Sequence, residues 1–70
     1  MNERIFTISS DYIELIKLLK VVGIAEHGAA AKQMVSDGMV MVNNQPESRF
    51  RAKIRKKDFV TVNHHKITIQ

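Results

Sequence analysis

Gly38-Met39-Val40-Met41-Val42-Asn43-Asn44 is the stretch where the chain changes its period. Before it, apolar residues recur at helical spacing; after it they alternate, so helices give way to strands. Gly38 suits the left-handed conformation that ends a helix. Met39 to Val42 reads as a strand, and Asn43-Asn44 reads as a tight turn because asparagine tolerates positive φ. The class is therefore α+β.

Upstream, Arg4 to Ile8 reads as a short strand with Phe6 and Ile8 on one side. Asp11 is placed as an N-cap, with Glu14 three residues on as its capping-box partner. Tyr12, Leu15, Ile16, Leu19 and Val22 then form one apolar stripe along a helix that Gly23 closes. A second helix is expected from about Glu26 to Asp37, with Ala30, Ala31, Met34 and Val35 buried and Lys32 exposed. Alanines on its inner side let the two helices approach closely across Gly23-Ile24-Ala25.

Downstream, Gln45 begins a brief return strand that Pro46 confines to an edge. Arg49 to Arg55 follows as a cationic strand in which Arg49, Arg51, Lys53 and Arg55 alternate with Phe50, Ala52 and Ile54. Lys56-Lys57-Asp58 turns the chain, Phe59 to Val62 pairs back, Asn63-His64-His65 turns it again, and Ile67 to Ile69 completes the sheet.

Charge is polarised along the chain. Residues 1–48 carry a net −2 and residues 49–70 a net +6, with six of the eleven Lys and Arg residues between Arg49 and Lys57. A short charge run is more often a solvated face than a site. Six cations in nine positions, ordered at strand period with no acid among them, point instead to a polyanion. Side chains two apart on a strand stand roughly 6.6–6.8 Å apart, a spacing comparable with nucleic-acid phosphates.

Seventy residues form a single domain, residues 1–70, of a size at which the core is marginal without help. There is no cysteine, hence no disulfide and no thiolate zinc site. Adjacent strand residues point to opposite faces, so His64-His65 is assigned to a turn rather than to a metal. No apolar run approaches the roughly 18 residues of a membrane span, and Ile5 to Ile8 is too brief for a signal-peptide core. A soluble, cytoplasmic monomer without cofactor is expected. No glycine-rich phosphate loop, cysteine nucleophile or acid–base carboxylate pair is present, which argues against catalysis.

Taken together, Gly23-Ile24-Ala25, Ala31-Lys32, Gly38 to Asn44 and Asp58-Phe59-Val60 resemble the S-four-type RNA-binding domain over roughly Tyr12 to Val62. The small stand-alone bacterial members are the most similar in kind. The resemblance implies two helices packed against a small antiparallel sheet of four to five short strands. It also implies that RNA is held by the second helix and the neighbouring strand and hairpin, which points to Lys32, Asn43 and Asn44. Three positions depart from the pattern: His27-Gly28 stands where many members have Ser-Arg, Asn44 replaces the hairpin glycine, and Lys57 replaces the glycine before Asp58.

The resulting expectation is a non-catalytic protein that grips structured RNA through phosphate and shape contacts. Ribosomal and transfer RNA are the candidate classes, with ribosome-related or RNA-modification processes as the setting. The contact residues are Lys32, Arg49, Arg51 and Lys53, then Arg55, His27, Asn43 and Asn44; His27 either touches phosphate or simply marks the helix start. With only Phe50 inside the basic run, base stacking is not expected. Two rivals stay open: an adaptor that docks an acidic protein, and a DNA-binding helix-turn-helix whose second helix offers few side chains able to read base edges.

Overall fold

Outside the basic run, the second-half alternation folds into strands as expected. In a computed structural model describing residues 2–70, β3 (Val40–Val42), β6 (Phe59–Val62) and β7 (His65–Ile69) form the antiparallel centre of a sheet. Its two edges are β4 (Gln45–Pro46), antiparallel to β3, and β1 (Asn2–Phe6), which runs parallel to β7. The order is β1-β7-β6-β3-β4, a mostly antiparallel mixed sheet of five strands. The first strand lies two residues earlier than Arg4 to Ile8, yet Ile8 still joins the edge by donating its N–H to the Gln70 carbonyl at 2.8 Å.

Helices α1 (Leu15–Val21) and α2 (Gly28–Ser36) pack together beside the sheet. Leu15, Leu18, Leu19, Ala31 and Val35 meet Val40, Val60, Val62, Ile67 and Ile69 in one buried core. Each fully buried aliphatic side chain of this kind contributes roughly 1.5–3 kcal/mol. Ala31 is completely buried, so at that point a methyl group fills the space between elements. Gly38 has φ 73°, and its N–H and that of Met39 donate to the carbonyls of Val35 and Met34, the paired bonds that satisfy a helix C-terminus.

The start of α1 corrects the capping-box expectation. Ile13 and Glu14 are extended as β2, paired antiparallel with β5 (Lys53–Ile54) in a separate two-stranded sheet, so the helix begins three residues later than an Asp11 cap requires. Glu14 occupies the cap position without a side-chain cap bond. Instead, the first two helical N–H groups, of Leu15 and Ile16, donate to the carbonyls of Ala52 and Phe50 at 2.9 and 3.2 Å. Moving the helix start removes Tyr12 from the apolar stripe. Leu18 takes its share of the core, and Tyr12 is left 38% exposed.

The expected seven-residue cationic strand is likewise reduced to its last part. Only Lys53-Ile54 pairs, because Phe50-Arg51 must turn to present its neighbouring carbonyls to α1. Alternation nevertheless persists from Arg51 to Arg55: Ala52 and Ile54 are buried, and the three cations are exposed.

Asn43, Asn44, Asn63 and Lys57 all have positive φ, at 52°, 68°, 53° and 77°. Asparagine accepts this conformation readily, whereas a lysine pays the steric cost of its Cβ in the left-handed region. Replacing Lys57 by glycine is therefore expected to stabilise the fold by roughly 0.5–1 kcal/mol after the entropy lost to glycine is subtracted, read as a raised urea midpoint with unchanged slope. An unchanged or lowered midpoint would contradict that account.

Candidate nucleic-acid interface

The basic segment is held at both ends and in the middle. After β4, the Glu47 N–H donates to the Val40 carbonyl at 3.1 Å, and the Glu47 carboxylate accepts from the Arg49 backbone N–H at 3.0 Å. The same carboxylate takes two guanidinium bonds from Arg49, Nε at 3.1 Å and Nη2 at 3.2 Å. These side-chain bonds hold the Glu47 carboxyl below the usual carboxylate range, and they raise the guanidinium of Arg49 in turn. The Ala52 N–H then donates back to the Arg49 carbonyl, closing the turn.

This corrects the picture of an unopposed ridge. Arg49 gives the Nε–Nη2 edge of its guanidinium to Glu47, although its side chain stays 77% exposed and the pair is screened by water. Arg51 lies 4.0 Å from the Glu14 carboxylate, but its side chain is 81% exposed, so the pair stays solvated and weak. Lys53 and Arg55 are exposed on the same alternating run. At the far end, the Arg55 N–H donates to Asp58 Oδ2 at 2.8 Å, and Lys56-Lys57 form the turn between β5 and β6.

Two lysine–aromatic contacts tie neighbouring elements to the segment. Lys32 Nζ of α2 lies 6.0 Å from the centre of the Phe50 ring. On β5, Lys53 Nζ lies 5.0 Å from the centre of Tyr12. Phe50 is 37% exposed rather than turned into the core. Thus Lys32, Phe50, Lys53 and Tyr12 are brought into one neighbourhood by α2, the basic segment and the residues leading into α1.

His27 is the N-cap of α2: its Nδ1 accepts from the Ala30 N–H at 3.2 Å. With Nδ1 accepting, the neutral ring carries its proton on Nε2. Glu26 lies outside the helix, which starts two residues later than expected. Asn43 is committed to the framework: its Nδ2 donates to Asp58 Oδ1 at 3.0 Å and its Oδ1 accepts from the Phe59 N–H at 3.0 Å. The bonds lock the β3–β4 turn against the turn before β6. Asn44 is exposed at the hairpin tip.

Along α2, Ala31 and Val35 are buried and Gln33 Nε2 donates to Asp37 Oδ1 at 2.8 Å. Few side chains remain for reading base edges. His64 is in a turn and His65 opens β7; no group of three or more His, Cys, Asp or Glu is placed to hold a metal among the described residues. No helix among them is long and apolar enough to cross a membrane.

Sequence reasoning placed Tyr12 in the helical stripe and Phe50 on the apolar side of a strand, whereas the structure leaves both more than a third exposed. A signal for Tyr12 was present, because Leu15, Leu18, Leu19 and Val22 satisfy the i, i+3, i+4, i+7 rule without it.

Comparison with known proteins supplies a second line of observation. A family model described as the S4 domain matches residues 6–70. Over 58 residues the chain is 36% identical to "Putative RNA-binding protein YbcJ" of Escherichia coli strain K12, covering 83% of each chain. A YbcJ protein of Shigella flexneri is similar to the same extent. The solution structure of the E. coli YbcJ, described as revealing an ALFAL motif involved in RNA-binding, superposes with a TM-score of 0.73 at 33% identity. It covers 93% of this chain and 84% of that one.

The Glu47–Arg49 pair has a consequence for acid stability. A carboxyl held below its ordinary range adds stability that is fully present above that range and is lost as pH falls through the lowered value. Glu47→Gln is expected to lose this contribution at neutral pH and to match the parent once the carboxyl is protonated. Urea midpoints measured on both proteins at neutral and acid pH check it; a gap that does not narrow on acidification would contradict it.

Proposed function

The chain belongs to the S4 domain family, and from that membership together with its exposed basic segment we propose that it binds structured RNA without catalysing a reaction. The observation that carries this reading is the run Arg51, Lys53, Arg55, each exposed and backed by buried Ala52 or Ile54, with Lys32 of α2 drawn beside it at Phe50. The similar E. coli protein is named for RNA binding, which supports the same choice of polyanion.

In mechanism, rigidity matters as much as charge. The carbonyl bonds from Phe50 and Ala52 to α1 hold the segment's backbone before any ligand arrives, so little ordering entropy is lost on binding. Guanidinium and ammonium groups then replace counterions condensed on the phosphates, and released ions drive association. Lys32 extends the contact to a second element, and the His27 Nε2–H is a further donor to phosphate. Asn44 reaches from the hairpin tip, while Asn43 acts by positioning that hairpin rather than by touching RNA.

Arg49 is ranked below Arg51 and Lys53, because Glu47 already takes its fork of donors. Ribosomal or transfer RNA is the substrate class that fits shape and phosphate recognition best, since duplex RNA offers both in its shallow minor groove. The protein acts in this reading as a monomer in the cytoplasm, in a ribosome-associated or RNA-modification setting.

Binding to a structured RNA, a DNA duplex of matched length and an acidic polypeptide, each across a salt series, tests the reading. Structured RNA is expected to bind most tightly, and preference for either other ligand would overturn it. Arg51→Gln and Lys53→Gln should each weaken RNA binding severalfold and make the dependence of log K on log salt shallower by about one unit, whereas Arg49→Gln should change both far less. Equal losses at all three positions would reject the assigned role of Glu47.

A further inference from the structure

Beside the basic segment lies an open cleft of about 590 Å³ that no residue of the proposed phosphate-binding row lines. Its apolar lining is Phe6, Ile8 and Ile13, and its polar lining includes Ser9, Glu14 and Lys17. Tyr12 completes the wall. Its main chain is steadied by Ser10, whose hydroxyl donates to the Tyr12 carbonyl at 3.0 Å, and Lys53 stands over its ring. Tyr12 is 38% exposed, so part of its ring is available to a ligand.

We propose that this cleft receives one unstacked RNA base, which lies against the Tyr12 ring. The inference rests on the RNA-binding reading and deepens it by naming the kind of RNA: a helix interrupted by an unpaired nucleotide. Four features agree. Apolar side chains replace the stacking surface a base loses on leaving the helix, and the tyrosine ring offers a π-face. Lys17 and Lys53 stand ready for the phosphates on either side of the extruded nucleotide. Glu14, with its carboxylate partly exposed, accepts from an amino or imino N–H of the base edge. At about 590 Å³ the open cleft has room for a planar base.

Lys53 connects the two sites. It belongs to the phosphate-binding row and also covers Tyr12, so a helix seated on Arg51, Lys53 and Arg55 delivers an adjacent unpaired nucleotide to the cleft. Among the residues lining the cleft the aromatic ones are Phe6 and Tyr12, and Tyr12 is the more exposed of the two.

The test uses two RNA hairpins of equal length, one fully paired and one with a single bulged 2-aminopurine, each also carrying a distant dye for anisotropy. The parent protein is expected to bind the bulged RNA about tenfold more tightly, the lower end of what one base–aromatic stack supplies. Tyr12→Leu should abolish that preference and leave the bound 2-aminopurine brighter than in the parent complex. Lys17→Gln should reduce affinity for the bulged RNA alone. Equal binding of both hairpins by the parent, or an unaltered preference in Tyr12→Leu, overturns the cleft assignment while the RNA-binding reading stands. No binding of either hairpin overturns both.

Discussion

Two hydrogen bonds organise the side of this molecule that carries the basic segment. The N–H groups of Leu15 and Ile16 open α1 and need acceptors that no earlier intrahelical carbonyl can supply. They find them in Ala52 and Phe50, more than thirty residues downstream. A seven-residue helix has little stability of its own, so it depends on tertiary partners; the basic segment, in turn, has little sheet to join. Each element completes the other. With Ala52 and Ile54 buried against the core, the segment's cations have one side left to face, and Lys53 and Phe50 fall beside Tyr12 and Lys32.

That arrangement explains why charge along the sequence and charge on the surface differ. Counting residues gives Arg49 the same weight as Arg51, but folding brings Glu47 within hydrogen-bond distance of the first, while the second only approaches Glu14 at 4.0 Å. The Glu47–Arg49 contact spans two residues and lies next to the turn that the Ala52 N–H closes on the Arg49 carbonyl, where the expected strand bends and the Phe50 carbonyl meets α1.

Much of the fold was legible because it follows from local rules. Gly38 ends α2, Asn43-Asn44 forms the hairpin turn, and Val40, Val60, Val62, Ile67 and Ile69 build the core face by alternation. What was not legible depended on long-range pairing. Asp11, Glu14 and Tyr12 form a good helix start in isolation, and nothing local shows that Ile13-Glu14 is claimed by Lys53-Ile54. The parallel placement of β1 beside β7 is non-local for the same reason. At the candidate site, exposure of Arg51, Lys53 and Arg55 followed from period, while the diversion of Arg49 and the positioning role of Asn43 required the spatial neighbours Glu47 and Asp58 to be known.

The three departures from the family pattern show which constraint each position carries. At Asn44 and Lys57 the backbone stays left-handed although glycine is absent, so the requirement is for a conformation and glycine is only its least strained solution. At the start of α2 the requirement is for an acceptor facing the Ala30 N–H, and an imidazole nitrogen meets it where a serine hydroxyl would serve elsewhere in the family. The arginine that often follows that serine is a different matter, because Gly28 replaces a charge rather than a geometry. The fold tolerates these exchanges, and the exposed positive charge of this chain lies on Arg51, Lys53 and Arg55 rather than at the helix start.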